Sequence, residues 1–295
     1  MRSYSLNIAG YIIRFESSED GPDLVPSERF IRNICTDGHY DILVRVHSGR
    51  FSLPRGTKMV FNAPYVEEIN GIPVKKRDRF WSIHKHQNDL YIKTVFPLSS
   101  FKKKAVLKYS VNFPEWDLRI EGAGTGTDPM EYPLDGLILY YLTVINGDIM
   151  IHASGVNYSC HGYLFSGISG NGKSTMAKLW DQSGARVIHD DRLIIRRIDT
   201  GYKMFNTPVY NNDVPGESPL DRIFLIEHGK KNEIIPLKGA AGVSMIMANC
   251  IQHNWDPEIV AKLLGSVSIM CTTLPAARLF FRPDRSVIDH ILENE

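Results

Sequence analysis

Eight consecutive residues near the middle of the chain combine glycines with a lysine and a hydroxyl side chain. They run Gly167-Ile168-Ser169-Gly170-Asn171-Gly172-Lys173-Ser174 and satisfy the P-loop (Walker A) pattern G-x-x-x-x-G-K-S. An apolar stretch typical of a strand, residues 163–165, precedes them, and a helix-forming run, residues 174–180, follows. Glycines let backbone N–H groups turn inward, and the positive end of the next helix completes an anion nest. The pattern therefore predicts a phosphate-binding loop.

The side chains that end this loop have distinct expected roles. Lys173 would reach the β- and γ-phosphates of a bound nucleotide, and the Ser174 hydroxyl would bind Mg²⁺, which bridges phosphate oxygens. A purely structural glycine-rich turn is the alternative, but strand and helix are both present where the pattern needs them. We expect ATP and Mg²⁺ as cofactors. The residues expected to bind them are Gly167, Ser169, Gly170, Asn171, Gly172, Lys173, Ser174 and Thr175.

Two adjacent carboxylates follow the loop after one predicted helix. Asp190 and Asp191 end the apolar stretch 185–188, and Asp190 lies 17 residues after Lys173. A strand, a helix and a second strand would return the chain beside the loop. One carboxylate could then approach Mg²⁺ while its neighbour faces an incoming hydroxyl as a base. The alternative is that the two aspartates simply begin a turn.

A histidine in a strand-like segment completes the pattern, in His152-Ala153-Ser154-Gly155-Val156. The order of this strand, the glycine loop and the Asp-Asp pair resembles the catalytic domain of HPr kinase/phosphorylase. Phosphoenolpyruvate carboxykinases share a similar order. The resemblance covers roughly residues 131–295, and its sharp motifs lie in the first third of that range.

The resemblance implies a role for each matching residue. Asp190 would be the base for the substrate hydroxyl, and Lys173 would hold the phosphates. Asp191 would be a metal ligand together with Ser174. His152 would lie near the metal or the second carboxylate and orient it, or it would be an ordinary core histidine.

One departure from the family pattern changes the expected acceptor. The chain has no counterpart of the glycine-rich second signature with its arginine, so HPr itself is a doubtful substrate. The segment 205–217 looks instead like the T-P-x…G-E stretch of HPr-kinase-related proteins, some of which phosphorylate peptides or small hydroxy compounds. Thr207 and Glu217 could face the acceptor, although an ordinary Pro/Gly loop is the alternative. Arg222 and Arg282 are candidates for stabilising transition-state charge.

The periodicity of apolar residues divides the chain into two regions. Residues up to about 121 alternate with a period of two, as strands do, and 122–129 is rich in turn-forming residues. We predict a β-rich N-terminal domain over 1–128 and a kinase-like catalytic domain over 129–295. The fold class is α/β (α+β overall), with an HPr-kinase/PEP-carboxykinase-like P-loop core and a mixed sheet. The N-terminal domain would recognise a substrate or give structural support.

Individual elements follow from the same patterns. In the N-terminal region, 80–84 and 90–95 predict a hairpin whose medium-length loop is 85–89. The short step through 157–162 predicts a second hairpin, which makes the catalytic sheet mixed. The other predicted elements are helices near 131–146 and 173–183, strands near 149–157, 162–166, 185–189 and 223–226, and a tail of two helices, a strand near 278–281 and a last helix.

Composition narrows the classes of partner. Lys and Arg number 34 against 33 Asp and Glu, so no global field would attract nucleic acid or an anionic membrane. The basic runs 75–77 and 102–104 are interpreted as solvated loop or strand edge. The four cysteines form no C-x-x-C pair, and the first ten residues lack an apolar signal region. We expect a cytoplasmic protein with no membrane partner.

Three functions remain in competition. The first is a serine-type kinase that moves the γ-phosphoryl group of ATP to a hydroxyl of a peptide, protein or small molecule. The second is carboxykinase-like chemistry, which would need a second metal site for which only His152 is a candidate ligand. The third is a nucleotide-dependent regulatory or binding protein without transfer. Homo-oligomers are common among relatives of this fold, so an oligomer is expected by analogy alone.

Overall fold

The computed structural model describes residues 1–63, 68–69, 72–73, 81–97, 100–110, 113–124 and 126–294. The basic run 75–77 and Phe80, the first residue of the predicted hairpin, lie outside this part of the chain. Large mixed sheets and few helices make the fold α/β. The chain divides into two compact units, one of Met1–Leu139 with Val209–Asp213, the other of Tyr140–Pro208 with Val214–Glu295. The predicted domain boundary at 128/129 and the role of the N-terminal domain stay predictions.

The first unit is built on a nine-stranded sheet with the order β3-β1-β2-β4-β11-β10-β9-β8-β5. Only the pairs β2–β4 and β4–β11 are parallel among its described pairs. Its strands are β1 (Ser3–Ile8), β2 (Tyr11–Ser17), β3 (Ile34–Cys35), β4 (Ile42–Ser48), β5 (Lys58–Asn62), β8 (Trp81–His86), β9 (Asp89–Phe96), β10 (Ser100–Tyr109) and β11 (Glu115–Glu121). A small ladder joins β6 (Glu68–Ile69) and β7 (Ile72–Pro73), and a 3₁₀ helix spans Glu28–Asn33.

Period-two alternation gives this sheet one apolar and one polar face. Trp116, Leu118 and Ile120 are buried on β11, whereas Asp117 and Arg119 between them are not. The predicted β-rich character of this region is confirmed. Burial of one face fixes the strand register, because a slip of one residue would turn every apolar side chain to the opposite side.

The predicted medium-length loop at 85–89 is wrong. β8 continues through His86 and β9 begins at Asp89, so only Gln87 and Asn88 form the turn. Lys85 and His86 still pair across to β9 because polar side chains are tolerated at the solvated end of an antiparallel hairpin. Gln87 adopts a positive φ of 53°, as two-residue hairpin turns require.

The second unit contains a mixed sheet with the order β17-β16-β15-β12-β13-β18-β20-β19, and β14 also pairs with β12. The parallel strands are β13, β18 and β20. The strands are β12 (Ile149–Tyr158), β13 (His161–Ser166), β14 (Arg186–His189), β15 (Arg192–Ile198), β16 (Gly201–Asn206), β17 (Glu217–Pro219), β18 (Arg222–His228), β19 (Glu233–Leu237) and β20 (Ala276–Phe281). The helices are α1 (Leu134–Ile145), which begins in the first unit, α2 (Lys173–Gln182), α3 (Gly239–Met247), α4 (Pro257–Thr273) and α5 (Ser286–Leu292).

Most elements predicted after residue 129 are confirmed within a few residues. The β12–β13 hairpin pairs Tyr158 with His161, and the tail contains the helices and strand that were expected. The β15–β16 hairpin and strand β19 were not predicted. Arginines interrupt the apolar pattern of β15, and β19 contains Pro236, so neither segment shows a clean strand signal.

Helix α2 is held against the sheet by one bulky side chain. Trp180 is fully buried, stacks on Tyr163 with ring centroids 5.0 Å apart, and lies 5.5 Å from Tyr158 and 6.1 Å from Phe165. Met176, one turn earlier on the same helix face, is also buried. Because Lys173 begins this helix, the packing of Trp180 also determines where the helix starts.

We expect Trp180→Ala to lower the free energy of unfolding by about 3–5 kcal/mol, because a large aromatic side chain leaves a cavity that its neighbours cannot fill. Trp180→Phe should cost less, since the buried Nε1 has no hydrogen-bond partner among the described residues. Urea unfolding followed by circular dichroism measures both. Leu264→Ala, at a position on α4 that is 45% exposed, is the control. Equal midpoints for Trp180→Ala and Leu264→Ala would contradict the packing role.

A second buried group links the loop before α4 to α1. The ring centroids of His253 and Tyr140 are 4.0 Å apart, and His253 Nδ1 lies 3.2 Å from Tyr141 Oη. Trp255 Nε1 donates to Tyr141 Oη at 3.1 Å. Burial lowers the pKa of His253 to about 3, since the charged imidazolium would lose its hydration.

Stability should therefore fall in acid through His253. Above its ordinary pKa the side chain is neutral in both states and the contribution is complete. Below that pKa the unfolded chain takes up a proton that the folded chain refuses, and up to about 1.4 kcal/mol is lost per pH unit until the pH reaches the folded pKa. His253→Gln should flatten this slope between pH 6.5 and about 3, the window that this pKa shift defines.

Unfolding free energies measured across that window test the expectation. His39→Gln, at an exposed position in the first unit, is the matched control and should keep the wild-type slope. Parallel curves for wild type and His253→Gln would show that burial of this imidazole does not set the acid sensitivity.

Candidate active site around the glycine loop

The glycine loop lies at the edge of the second sheet where three parallel strands end. It follows Ser166, the last residue of β13, and leads into α2 at Lys173. β18 runs parallel beside β13 and β20 parallel beside β18, so their carboxyl ends meet at the same edge. Ligands of open α/β sheets bind at such edges because the loops there are free to surround them.

Two glycines let the loop lie directly against those strand ends. A Cβ on Gly172 would lie 2.8 Å from Phe281 Cζ and 2.9 Å from His228 Cε1, and its φ of 91° is left-handed. A Cβ on Gly167 would lie 2.8 Å from the carbonyl oxygen of Ile226. All three distances are shorter than real Cβ atoms show. The pattern therefore requires glycine at these positions for packing as well as for conformation.

A side chain in the loop strengthens the same contact. Asn171 Nδ2 donates to the Ile226 carbonyl oxygen at 3.0 Å, and the Asn171 backbone N–H donates to Ile168 at 3.1 Å. Asn171 was predicted to bind the cofactor through its place in the pattern. Its amide side chain is directed towards β18, so its observed contribution is to hold the loop in place.

The lysine of the loop is folded over its own backbone. Lys173 Nζ donates to the Gly167 carbonyl at 2.8 Å and to the Ile168 carbonyl at 3.3 Å. Partial burial lowers the pKa of Lys173, and the negative charge of Asp191 opposes that shift. The ammonium group therefore lies within electrostatic range of Asp191, at the concave side of the loop.

The remaining predicted loop residues are accessible. Ser169, Gly170, Ser174 and Thr175 are exposed, and Gly170 has open space around the position of a Cβ. Because Gly172 precedes α2 and carries no side chain, no capping group covers the first turn of that helix. Hydroxyls and backbone N–H groups can thus be approached together.

A buried histidine shapes the turn that contains the two aspartates. His189 Nδ1 accepts hydrogen bonds from the backbone N–H groups of Asp191 at 3.1 Å and of Arg192 at 3.2 Å. His189 is 6% exposed. No role for His189 was predicted from the sequence, although its position directly before Asp190 could have indicated one. Asp190 and Asp191 form the bend, here called the Asp turn, between β14 and β15, which both pair antiparallel with β12, and both residues are half-buried.

The central strand β12 connects this turn to the loop. The backbone N–H of Ala153 donates to the Asp191 carbonyl at 3.1 Å, and Ser166 Oγ donates to the His152 carbonyl at 2.6 Å. His152 is also paired in register with Arg192 on β15. β12 therefore bonds both to the residue that precedes the loop and to the Asp turn.

His152 is exposed, so the alternative prediction of a core histidine is wrong. Ile151 and Ala153, its neighbours along the strand, are buried in the core instead. Loss of hydration among surrounding protein atoms lowers the pKa of His152, although the ring remains accessible. Asp191 opposes the shift through its charge and a backbone hydrogen bond. The charges of Arg192 and Lys173 lower the pKa further. These four groups therefore lie in one electrostatic neighbourhood.

Asp190 and Asp191 differ in their electrostatic effect on the neighbouring side chains. Asp191 acts on both His152 and Lys173, whereas Asp190 is not among the charges that shift either group. The predicted division of labour between the two carboxylates stays a prediction. Within the described ranges, no three His, Cys, Asp or Glu side chains gather as a ready-made metal site. Mg²⁺ commonly uses one or two protein ligands beside phosphate oxygens, which Ser174 and Asp191 could supply.

The Thr207 side chain, which was considered for contact with the acceptor, instead bonds to Arg192. Its buried hydroxyl accepts from Arg192 Nε at 3.0 Å and donates to the Arg192 carbonyl at 3.0 Å. Glu217 is exposed and pairs with Lys203 Nζ at 2.7 Å. The T-P-x…G-E stretch thus fixes Arg192 beside His152 through Thr207.

The two candidate arginines lie at opposite ends of the strands. Arg222 begins β18, is paired with Tyr163 near the start of β13, and donates to the Asn294 carbonyl at 3.0 Å. It is therefore placed away from the loop. Arg282 follows β20 at the loop edge and is 2.9 Å from Asp284 in an exposed ion pair. Of the two, only Arg282 keeps a position suited to the predicted role.

His228 lies beside the loop, and the sequence patterns do not predict its position. His228 ends β18, is exposed, and has its ring centroid 5.0 Å from that of Phe281. Together these rings form the surface on which Gly172 rests. No motif marks His228, because its position depends on strand pairing between segments far apart in sequence.

Comparison with known proteins adds little to this picture. No protein-family model matches the chain, and no curated protein matches it. The structure of the Hpr(Ser) kinase/phosphatase from Coxiella burnetii matches over 49% of this chain and 94% of that chain, with 11% sequence identity and a TM-score of 0.30. This is a weak link at the level of fold and assigns no activity. Among the described residues, no helix is both long and apolar enough to cross a membrane.

We expect Lys173→Ala to weaken binding of ATP with Mg²⁺ by at least about tenfold, because charge-assisted hydrogen bonds to phosphate contribute roughly 1.5–3 kcal/mol. Isothermal titration calorimetry measures the change. Lys178→Ala, at an exposed position on the same helix, is the matched control and should bind like wild type. Unchanged affinity in Lys173→Ala would remove this loop as the nucleotide site.

Proposed function

We propose that this chain is an ATP- and Mg²⁺-dependent kinase that transfers the γ-phosphoryl group to a Ser-type hydroxyl of a peptide, protein or small molecule. The observation that carries the proposal is the grouping of Lys173, Asp191 and His152 beside the glycine loop. A lysine, a carboxylate and an imidazole from three separate segments influence one another's charge there.

The local architecture fits a nucleotide's phosphates. A backbone loop with left-handed glycines opens onto the first turn of α2, and its lysine already donates to carbonyl oxygens within the loop. Phosphate oxygens would replace those carbonyls as stronger acceptors. Ser174 and Thr175 are exposed at the same turn, where a positive helix end favours anions.

ATP would supply the phosphoryl group, and Mg²⁺ would neutralise charge on its oxygens as the bond to the leaving group breaks. The protein's own part is positioning and electrostatics. Lys173 would hold the phosphates, while Ser174 and Asp191 would hold the metal. Asp190 would take the proton of the acceptor hydroxyl as its oxygen attacks.

Contacts from neighbouring side chains would keep the catalytic and metal-binding groups in place. His189 holds the backbone of the Asp turn, and Thr207 holds Arg192 beside His152. His152 would orient Asp191, whose carbonyl accepts from the backbone N–H of the neighbouring Ala153. Such an arrangement limits the reorganisation needed during transfer, which is the main source of catalysis in phosphoryl transfer.

A transfer assay tests the proposal. The purified protein is incubated with Mg²⁺, γ-labelled ATP and fractionated lysate from its own source, in parallel with Lys173→Ala and Asp190→Asn. Asp181→Asn is the matched control, because Asp181 is an exposed aspartate on α2. We expect label on an acceptor with wild type and Asp181→Asn only, and a loss of at least about a hundredfold in rate with Asp190→Asn.

The nucleotide affinity of Asp190→Asn separates the alternatives. A kinase whose base has been removed should keep its nucleotide and lose transfer. If wild type binds ATP tightly but labels no acceptor, a nucleotide-dependent binding protein replaces the kinase. If Asp190→Asn transfers as fast as wild type, Asp190 is not the base.

A further inference from the structure

A cavity of about 290 Å³ opens on the sheet of the first unit, over strands β8 to β11. Its lining belongs mainly to the polar face of that sheet, opposite the face that carries Trp116, Leu118 and Ile120. All of its lining residues lie in the described part of the chain. The volume is at the lower end of the range for small-molecule sites, about 300–1,000 Å³.

The cavity arises from short side chains set beside long ones. Val106 on β10 is paired with Arg119 on β11 and with Lys93 on β9, and Lys93 is paired with Ser82 on β8. All four residues line the cavity. Because residues paired across strands project to the same face, the long charged chains surround a floor formed by valine and serine.

The next row repeats the arrangement and adds a third cation. Lys104 on β10 is paired with Val95 on β9 and with Glu121 on β11. Lys104 therefore lies diagonally from Lys93, since successive rows on one face of a sheet are two residues apart along each strand. Three cations from three adjacent strands, Lys93, Lys104 and Arg119, surround the cavity against one carboxylate.

These cations are incompletely neutralised by the protein. Within the ranges that the structure describes, neither Lys93 nor Lys104 has an ion-pair partner, and Arg119 Nη1 donates only to the Ser48 carbonyl at 3.2 Å. The carboxylate of Glu121 is engaged by Arg50 Nε at 3.0 Å. Glu121 is the cross-strand partner of Lys104, so one carboxylate, already engaged by Arg50, lies beside three cations.

The cations elsewhere on the same face differ, because they have partners. Arg45 pairs with Glu115, His47 lies 3.3 Å from Asp117, and Lys108 lies 3.0 Å from Asp89. Among the cations of this face named here, all in the described part of the chain, those without an ion-pair partner line the cavity. An extended polyanion would meet carboxylates on either side, whereas a compact anion would not.

The walls supply the rest of a binding site. Phe51 lines the cavity and packs on Tyr91 with ring centroids 5.7 Å apart, while 38% of its surface stays exposed. Ser82 Oγ and His84 Nε2 are 2.9 Å apart and offer further polar contacts. A ligand would thus find both cations and an aromatic surface in the lining of the cavity.

We propose that this cavity binds a small organic anion, a carboxylate or phosphate monoester with an apolar body. Its anionic group lies between Lys93, Lys104 and Arg119, and its apolar part packs against Phe51. The site is separate from the glycine loop in sequence and in chemistry, so it does not depend on the proposed kinase activity.

Calorimetric titration with two probes tests the site. The probes are 3-phenylpropionate and phenyl phosphate, and the neutral 3-phenylpropanol is their comparison. We expect both anions to bind and the alcohol to bind at least about tenfold more weakly, because charge-assisted contacts are lost. The Lys173→Ala protein should bind phenyl phosphate like wild type, which excludes the glycine loop as the source of the signal.

Variants then locate the binding. Lys93→Gln combined with Lys104→Gln should weaken both anions by more than about tenfold. Phe51→Ala should weaken 3-phenylpropionate more than acetate. Lys85→Gln is the matched control, since Lys85 is an exposed lysine on β8 that does not line the cavity. Amide NMR spectra confirm that each variant is folded.

Three results would overturn the proposal. One is an absence of measurable binding by either anion at about 10 mM, a concentration at which even a weak site is occupied. A second is equal affinity of wild type and the Lys93/Lys104 double variant for phenyl phosphate in folded protein. Binding that disappears in Lys173→Ala would place the anion at the loop and would also overturn it.

Discussion

The arrangement of the candidate active site depends on how closely the glycine loop approaches the ends of β18 and β20. Gly172 rests on the rings of Phe281 and His228, and Gly167 rests on the Ile226 carbonyl. A side chain at either position would force the loop away from the sheet. Since α2 begins at the next residue, its first turn and Lys173 would move with the loop, away from the Asp turn.

Strand β12 extends this constraint to the remaining groups. It pairs with β13, β14 and β15, so a single strand holds the residue before the loop, the strand before the Asp turn and the strand after it. His152 lies on this strand and its backbone bonds to Ser166. Displacing β12 would disturb the positions of Lys173, Asp191 and His152 at the same time. The three charged groups therefore form a single electrostatic unit that depends on one strand.

Sequence patterns predicted the local elements best where one physical signal dominated. The loop between an apolar strand and an amphipathic helix was evident, because glycine, lysine and hydroxyl residues have few other reasons to occur in that order. The prediction of a loop over 85–89 was wrong because polar residues at the end of a hairpin have the same composition as a turn. Thr207 was considered for an acceptor, yet its hydroxyl is buried against Arg192, a contact that requires the unpredicted β15–β16 hairpin.

The sequence by itself determined the mixed α/β class, the glycine loop, the Asp-Asp pair at the end of a strand and the period-two strands of the first unit, because each depends on residues that are neighbours along the chain. The tertiary structure decided which of them meet. His189, His228 and the cluster of Lys93, Lys104 and Arg119 gain their surroundings from strand order and register. Register joins residues that lie far apart in the chain, and no local spacing encodes such pairs, so only the folded sheets bring them together.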